Sequence, residues 1–472
     1  MNPAEFRKHA HDLVEWMAGY MENVENFPVK STVAPGDIFR KIPDIPPSEA
    51  KSFTSLMKEF DEIIMPGITH WQNPNFFAYF PANTSPPSIL AEMIISTLGA
   101  QCMIWETSPA AAELEEKMMI WLRNMIGLPC SFEGVIQDSA STATLAAILT
   151  AREKATGFSI NAEGAENAGT LRVYCSEQTH SSVEKAVKIS GIGRKNLIKI
   201  PVRDDFSMDT DKLQEAIDSD LKRGYIPCCV IATIGTTGTT AVDPLRAIGE
   251  ICDKNRAWLH VDAAMAGTAL ILPEFQWMLD GKEYIDSFVF NPHKWMFTNF
   301  DCTAYFVKDA GSLIKTFEVL PEYLKTRTRG KVNDYRDWGV PLGRRFRALK
   351  LWSVIRCYGT DGLQEKVRYH IDIASRLSEM ISKEADFELL APVVISVVCF
   401  RYCPDGYGEE QLNTLNEKLN HLLNDSGKLY LTHTVLKGKY TLRMVTAQTN
   451  VTLEHVEKAW ADIKSSARSL IL

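Results

Sequence analysis

Short apolar runs alternate with longer amphipathic stretches through the middle of this chain, and that alternation limits the fold more than any other feature. Leu171 to Cys175, Cys228 to Ile234, Trp258 to Val261, Ser287 to Phe290 and Thr303 to Val307 each read as a strand. Helical stretches such as Ser181 to Ile189 and Pro244 to Asn255 separate several of them. Apolar strands joined by helices make a mostly parallel sheet covered by helices on both faces. The expected class is α/β, and ligands of such sheets sit outside the carboxyl ends of the strands.

The flanks read differently. Asn2 can cap a helix, Pro3 suits its first turn and Glu5 completes a capping box. Phe6, Ala10, Leu13, Met17, Tyr20 and Val24 then follow at spacings of four and three, a single apolar stripe. Asn26 to Ser48 is rich in proline and turn residues and is expected to run extended over a surface. Ser108-Pro109 starts a helix that passes Met118, Trp121 and Met125 and stops at Gly127. After about Gly359 the pattern is helix, strands and helix again, a small C-terminal α+β domain. The expected division is 1–85 for an N-terminal helix and arm, 86–359 for a large domain and 360–472 for a small one. Gly191-Ile192-Gly193 opens like a dinucleotide loop, but it follows a helix and the sixth position is Asn196, so it reads as a helix stop and turn.

Several function classes drop out on composition. A net charge of −8 gives no electrostatic reason for a nucleic-acid partner. No run of about 18 uncharged apolar residues occurs; the best stretch, Trp258 to Leu272, is broken by His260 and Asp262. No membrane span is expected. Met1 to Glu5 lacks the basic-then-apolar pattern of a secretory signal. The ten cysteines form neither a dense framework nor a metal spacing. A cytoplasmic protein with reduced thiols and no metal is expected.

Three short motifs carry the chemistry: the turn Ser139-Ala140-Ser141-Thr142, Asp262 in His260-Val261-Asp262-Ala263-Ala264, and Lys294 in Asn291-Pro292-His293-Lys294-Trp295. The last two end or follow strands and the first precedes the helical run Ala143 to Ala155, so all three can share one sheet edge. A lone Asp after a strand is usually a turn residue, a lone Lys is usually solvated, and a Ser-Ala-Ser turn is usually a cap. Together they match the needs of pyridoxal phosphate. A lysine amine condenses with its aldehyde as a Schiff base, a buried carboxylate keeps its pyridine nitrogen protonated as an electron sink, and hydroxyls with amides at a helix N-terminus hold its phosphate. Lys294, between His293 and Trp295 after an apolar strand, is poorly placed for solvation.

Asn291-Pro292-His293-Lys294-Trp295, with His260-Val261-Asp262-Ala263-Ala264 upstream, resembles the group II pyridoxal-phosphate-dependent decarboxylases of fold type I, the aspartate aminotransferase-like fold. His70-Trp71, Phe77-Ala78-Tyr79-Phe80-Pro81, Ser108-Pro109, Leu342-Gly343-Arg344-Arg345-Phe346-Arg347 and the stretch around Tyr323 are similar to its aromatic-L-amino-acid decarboxylase branch. By that resemblance Lys294 carries the cofactor and Asp262 pairs with its ring nitrogen. Ser139, Ala140, Ser141 and Asn291 hold the phosphate, and Thr237 contacts the ring hydroxyl. His180 stacks on one face of the ring, Ala264 packs on the other, and His293 sits near the substrate carboxylate. Tyr323 matches the proton donor to the substrate Cα, and the polar stretch Thr326 to Asp334 with Gly330 suits a lid. The resemblance also implies a homodimer with the active site at the subunit interface, wrapped by the N-terminal arm.

The same resemblance frames the rivals. Aromatic aldehyde synthases replace either the lid tyrosine or the stacking histidine, and Tyr323 and His180 are both present. Histidine decarboxylases tend to carry serine at the position of Gly343, and glycine leaves more room for a large ring. An aminotransferase needs an arginine for the substrate carboxylate, and Arg336, Arg344, Arg345 and Arg347 match structural or loop-supporting positions. A non-enzymatic binding protein predicts loss of Lys294 or Asp262, and neither is lost. Trp71, Tyr79, Phe80 and Pro81 match residues that line the aromatic pocket. Ala82, Gln101 and Met103 depart from animal members, which have a hydroxyl residue, Ile and Phe there. Those departures leave tryptophan, tyrosine and phenylalanine open beside DOPA.

Overall fold

The computed structural model describes residues 1–319, 328 and 330–471. The chain forms two compact units, one of residues 82–372 with 391–397, the other of residues 1–81, 373–390 and 398–472.

The first of these units is built on a sheet that is seven-stranded among the described residues. Its strands are β1 (Glu133–Gln137), β2 (Leu171–Ser176), β3 (Leu197–Ile200), β4 (Ile226–Thr233), β5 (Trp258–Asp262), β6 (Ser287–Phe290) and β7 (Thr303–Val307), in spatial order β1-β7-β6-β5-β4-β2-β3. Strands β3, β2, β4, β5 and β6 are parallel neighbours. Strand β7 is antiparallel to both β6 and β1, so β1 runs the same way as β6. Strands β2, β4, β5, β6 and β7 lie where their apolar runs predict them, each with an almost wholly buried pattern. The helix Ala140–Ala155 packs an Ala-rich face (Ala143, Ala146, Ala147, Ala151) on β4, β5, β6 and β7, where small side chains let helix and sheet approach closely. The expected helices Pro109–Met125, Ser182–Ile189 and Leu245–Asn255 are present. Gly191 and Gly193 both take positive φ (78° and 90°), the turn that their spacing predicts. Among the described residues, no helix is long and apolar enough to cross a membrane.

The other unit joins the two ends of the chain. It carries the sheet β10-β11-β9-β8, where β8 is Phe387–Leu389, β9 Val397–Tyr402, β10 Thr432–Leu436 and β11 Lys439–Val445. Lys437 (φ 50°) and Gly438 (φ 82°) make the two-residue turn between β10 and β11, the left-handed pair that suits a tight hairpin. The N-terminal helix Pro3–Asn23 has the capping box its sequence predicts. Asn2 Oδ1 accepts from the Ala4 and Glu5 amides at 2.9 and 3.0 Å, and Glu5 Oε2 accepts from the Asn2 amide at 2.8 Å. This helix buries none of its residues. The stripe is buried at Val24, half-buried at Tyr20, Met17 and Leu13, and open at Phe6. Residues 26–48 are not extended throughout, because a short helix, Asp37–Lys41, interrupts them. Gly36 at φ 91° turns the chain after Pro35, and Asp37 Oδ2 accepts the Ala34 amide at 2.8 Å, which closes the turn that starts the helix.

Candidate active site

Five connections leave the large sheet at one edge, because β1, β2, β4, β5 and β6 all run toward it. They carry Ser139 after β1, His180 after β2, Thr237 after β4, Ala264 after β5 and Asn291 to Lys294 after β6. Topology thus gathers residues scattered over about a third of the chain.

Asp262 ends β5 almost fully buried, and its Oδ1 accepts the Ala264 amide at 3.0 Å. The Asn291 amide donates to the Ala264 carbonyl at 2.9 Å, tying the turn after β5 to the turn after β6. Lys294 sits half-buried on a single helical turn, Pro292–Trp295. The next residue anchors that turn: Trp295 is fully buried and its Nε1 donates to His370 Nδ1 at 2.9 Å. Burial, with Lys366 adding, pushes His370 down to about 3, so it remains a neutral acceptor.

His293 is buried at 3% exposure, and its Nδ1 accepts the Cys302 amide at 2.8 Å. Burial first, then Lys294, lower its pKa to about 3. A neutral ring with Nδ1 engaged as acceptor carries its proton on Nε2, so His293 offers an N–H donor. His180 is exposed on one side. Desolvation lowers its pKa, Asp262 opposes that shift, and Lys294 and Lys185 add to it. His180, Asp262 and Lys294 are therefore one electrostatic group.

Ser139 caps the helix Ala140–Ala155. Its Oγ accepts the Thr142 amide at 3.2 Å and its carbonyl accepts the Ala143 amide at 3.1 Å. The amides of Ala140 and Ser141 remain as first-turn donors at the positive end of the helix. Asn291 Oδ1 accepts the Thr303 hydroxyl at 2.7 Å, which leaves its Nδ2 as a donor. Thr237 is exposed after β4, whereas Thr236 turns inward and accepts the Ala241 amide at 3.1 Å. Gly235 makes that turn at φ 80°, where a Cβ would meet Ala266 Cβ at 2.5 Å. An amine, a buried carboxylate, two neutral imidazoles and helix-end donors fit pyridoxal phosphate, whose aldehyde, ring nitrogen and phosphate call for those groups.

The predicted aromatic-pocket residues are divided between the two units. Trp71 stacks on Phe76 (centroids 4.5 Å) and Tyr79 (5.7 Å), Tyr79 and Tyr430 share a hydroxyl contact at 3.4 Å, and Arg443 lies over Phe80 at 4.8 Å. These residues and Pro81 belong to the unit of the chain ends; half-buried Ala82 opens the sheet unit. There Gln101 Oε1 accepts the Arg344 amide at 2.7 Å, and its Nε2 lies 3.2 Å from where a Cβ on Gly343 would sit. Half-buried Met103 accepts the Arg336 amide through its carbonyl at 2.9 Å. Tyr323 lies outside the described residues.

Two residues stand out that sequence reasoning passed over. Asp243 is fully buried and accepts the Thr233 and Met208 amides, both at 2.7 Å, which locks the end of β4; burial raises its carboxyl to about 6. An Asp before a Pro reads as a turn, and nothing local marks it otherwise. The other is Ser182, against the His180 ring.

Comparison with known proteins follows the same lines. The family profile described as the pyridoxal-dependent decarboxylase conserved domain matches residues 35–403. "Tyrosine decarboxylase 4" of Petroselinum crispum is 41% identical, the match covering all of this chain and 95% of that protein. "Phenylacetaldehyde synthase" of Arabidopsis thaliana is 40% identical over all of this chain and 97% of its own. The crystal structure of Oryza sativa TDC with PLP and tryptamine superposes with a TM-score of 0.97 at 36% identity, covering 100% of this chain and 99% of that one. Fold, site chemistry and these likenesses agree: the chain belongs to the pyridoxal-dependent decarboxylase family, in its aromatic amino-acid branch.

Proposed function

We propose that this protein is a homodimeric decarboxylase that converts aromatic L-amino acids to arylalkylamines and CO2. The observation that carries the reading is the electrostatic group of His180, Asp262 and Lys294 at the carboxyl edge of the sheet. Pyridoxal phosphate, when bound, supplies the sink for the electron pair left as the Cα–carboxylate bond breaks. Lys294 would hold the cofactor through its amine. Asp262 places a negative charge where the ring nitrogen keeps its proton. Ser139, Ala140, Ser141 and Asn291 would hold the phosphate, Thr237 the ring hydroxyl, and His180 and Ala264 would pack on the ring. The Nε2–H of His293 would donate to the substrate carboxylate and orient it. Tyr323 returns a proton to Cα.

Gln101 sharpens the substrate reading. One lone pair of its carbonyl oxygen takes the Arg344 amide, and its amide N–H group is the donor it can offer a ring. A donor matches a phenolic oxygen and cannot match an indole N–H, which itself only donates. Tyrosine is therefore expected to exceed phenylalanine in kcat/KM.

Purified holoenzyme supplied separately with tyrosine, tryptophan, phenylalanine, DOPA and histidine tests the activity, with CO2, amine, aldehyde and peroxide quantified. Equal amine and CO2 from an aromatic substrate is the expected result. Aldehyde and peroxide as main products would instead make the chain an aldehyde synthase, the activity for which one of its relatives is named.

Assembly has its own support. The helix Pro3–Asn23 leaves Phe6, Val14 and Met21 exposed, and the helix Pro86–Leu98 leaves Leu90, Ile94 and Leu98 exposed at spacings of four. Apolar faces of this kind mark protein interfaces. Sedimentation should give a dimer at micromolar protein, and Leu90→Glu with Ile94→Glu should shift it toward monomer; a wild-type monomer at all concentrations would refute the assembly.

A further inference from the structure

We propose that Ser182 is a positioning residue that holds the His180 imidazole in its neutral Nε2–H form. The proposal rests on His180 lying against the cofactor, as read above, but its geometry stands apart from that reading. Two donors of Ser182 converge on one ring nitrogen: Oγ lies 2.8 Å and the backbone N 3.2 Å from His180 Nδ1. A backbone amide can only donate, so Nδ1 must be the ring's acceptor. The hydroxyl, able to act either way, then donates as well. The ring proton is left on Nε2, directed away from Ser182.

The local fold explains why this arrangement is stable. Ser182 is the first residue of the helix Ser182–Ile189, and the N-cap residue Ser181 makes no side-chain cap. The Ser182 amide is thus a first-turn donor without an intrahelical partner. His180 supplies the missing acceptor, and the His180 carbonyl accepts the Val183 amide at 3.1 Å. A second proton on Nδ1 would break the contact with the Ser182 amide, force the hydroxyl to turn from donor to acceptor, and set a cation against the positive end of the helix. The charged groups that act on the ring are Asp262, Lys294 and Lys185, two cations against one anion. Ser182 itself is buried, so its hydroxyl has little water to turn to.

A neutral ring with Nε2–H has chemical consequences. It can lie flat against a cofactor without adding positive charge, and it presents a donor at its outer edge rather than a base. A ring free to flip or to protonate would do neither consistently.

The test reads the ring directly. Protein labelled with 15N-histidine is examined by long-range proton–nitrogen correlation, with and without pyridoxal phosphate, and the His180 signals are assigned by their loss in His180→Asn. The expected wild-type pattern near neutral pH is an unprotonated Nδ1 and a protonated Nε2. Ser182→Ala should give a tautomer mixture with the His180 titration moved up toward that of an ordinary histidine, and Ser182→Thr should restore the wild-type pattern. In the loaded enzyme Ser182→Ala should lower kcat roughly three- to tenfold, the worth of one hydrogen bond, with KM unchanged and the acid limb of the pH profile displaced. A wild-type Nδ1–H or doubly protonated ring overturns the proposal, and so does a Ser182→Ala spectrum identical to wild type. The spectra need no substrate, so a protein that proved inactive as a decarboxylase would contradict the functional reading and leave this result to be judged by itself.

Discussion

Lys294→Ala is expected to lower amine and CO2 formation by roughly 10^4-fold or more, the scale on which breaking a covalent catalytic unit acts. The loss is chemical and not structural, because the turn that carries Lys294 is held by its neighbours. The Asn291 amide still reaches the Ala264 carbonyl at 2.9 Å, and Trp295 still donates to His370 at 2.9 Å. Thermal unfolding should therefore stay close to wild type in the apo protein. The visible absorption of lysine-bound cofactor should vanish, and a single-turnover assay should yield no amine. Substantial amine production by the purified variant would sink the assignment of Lys294.

The next largest effect is expected at Asp262. Asparagine has the same shape and can still accept the Ala264 amide through its side-chain oxygen, so Asp262→Asn removes charge while keeping the turn after β5. On the proposed reading the cofactor nitrogen would then lose the partner that keeps it protonated, and kcat should fall about 10^3- to 10^4-fold, as when a buried aspartate that orients a catalytic ring is replaced. The sign of a second effect follows from the electrostatics. Asp262 raises the His180 pKa against a larger lowering by desolvation. Its neutralisation should lower that pKa further, measurable by the same histidine resonances. A variant with wild-type kcat would show that Asp262 serves the fold alone.

Much of the frame was legible because buried parallel strands announce themselves. Val230, Ile231, Val261, Phe288 and Phe306 sit in runs with no polar face, and those runs became strands. Strand β1 was missed because Glu133 and Gln137 flank only Val135 and Ile136, and Gly134 weakens the signal further. Gly134 is required there, since a Cβ would come within 2.8 Å of the Phe306 ring. Strand β3 is a short edge strand with Lys199 exposed, too brief for periodicity to register. Lys294, Asp262 and Ser139 could be singled out from their motifs. Ser182 could not, because its part depends on where a helix begins relative to a ring two residues earlier, a matter of angstroms. Gln101 and Gly343 lie 242 positions apart in sequence, and only folding sets them side by side.

The unit made from both chain ends sets an order on biosynthesis. The guanidinium of Arg443 donates to the Ala78 carbonyl at 2.8 Å across a separation of 365 residues, and the Val445 amide donates to the Phe77 carbonyl at 2.9 Å. Closing a loop of that length in a flexible chain costs about 5 kcal/mol of entropy. All of the sheet unit but residues 391–397 is one uninterrupted stretch, 82–372, that can begin to fold as it emerges. Phe77 and Ala78 are synthesised early but must wait for Tyr430, Arg443 and Val445 near the end of the chain before these hydrogen bonds can form. During that interval Phe76 and Phe77 lack Tyr430 and Val445, so a ribosome stalled late in the message would display an aromatic, aggregation-prone segment at the front of an otherwise folded chain.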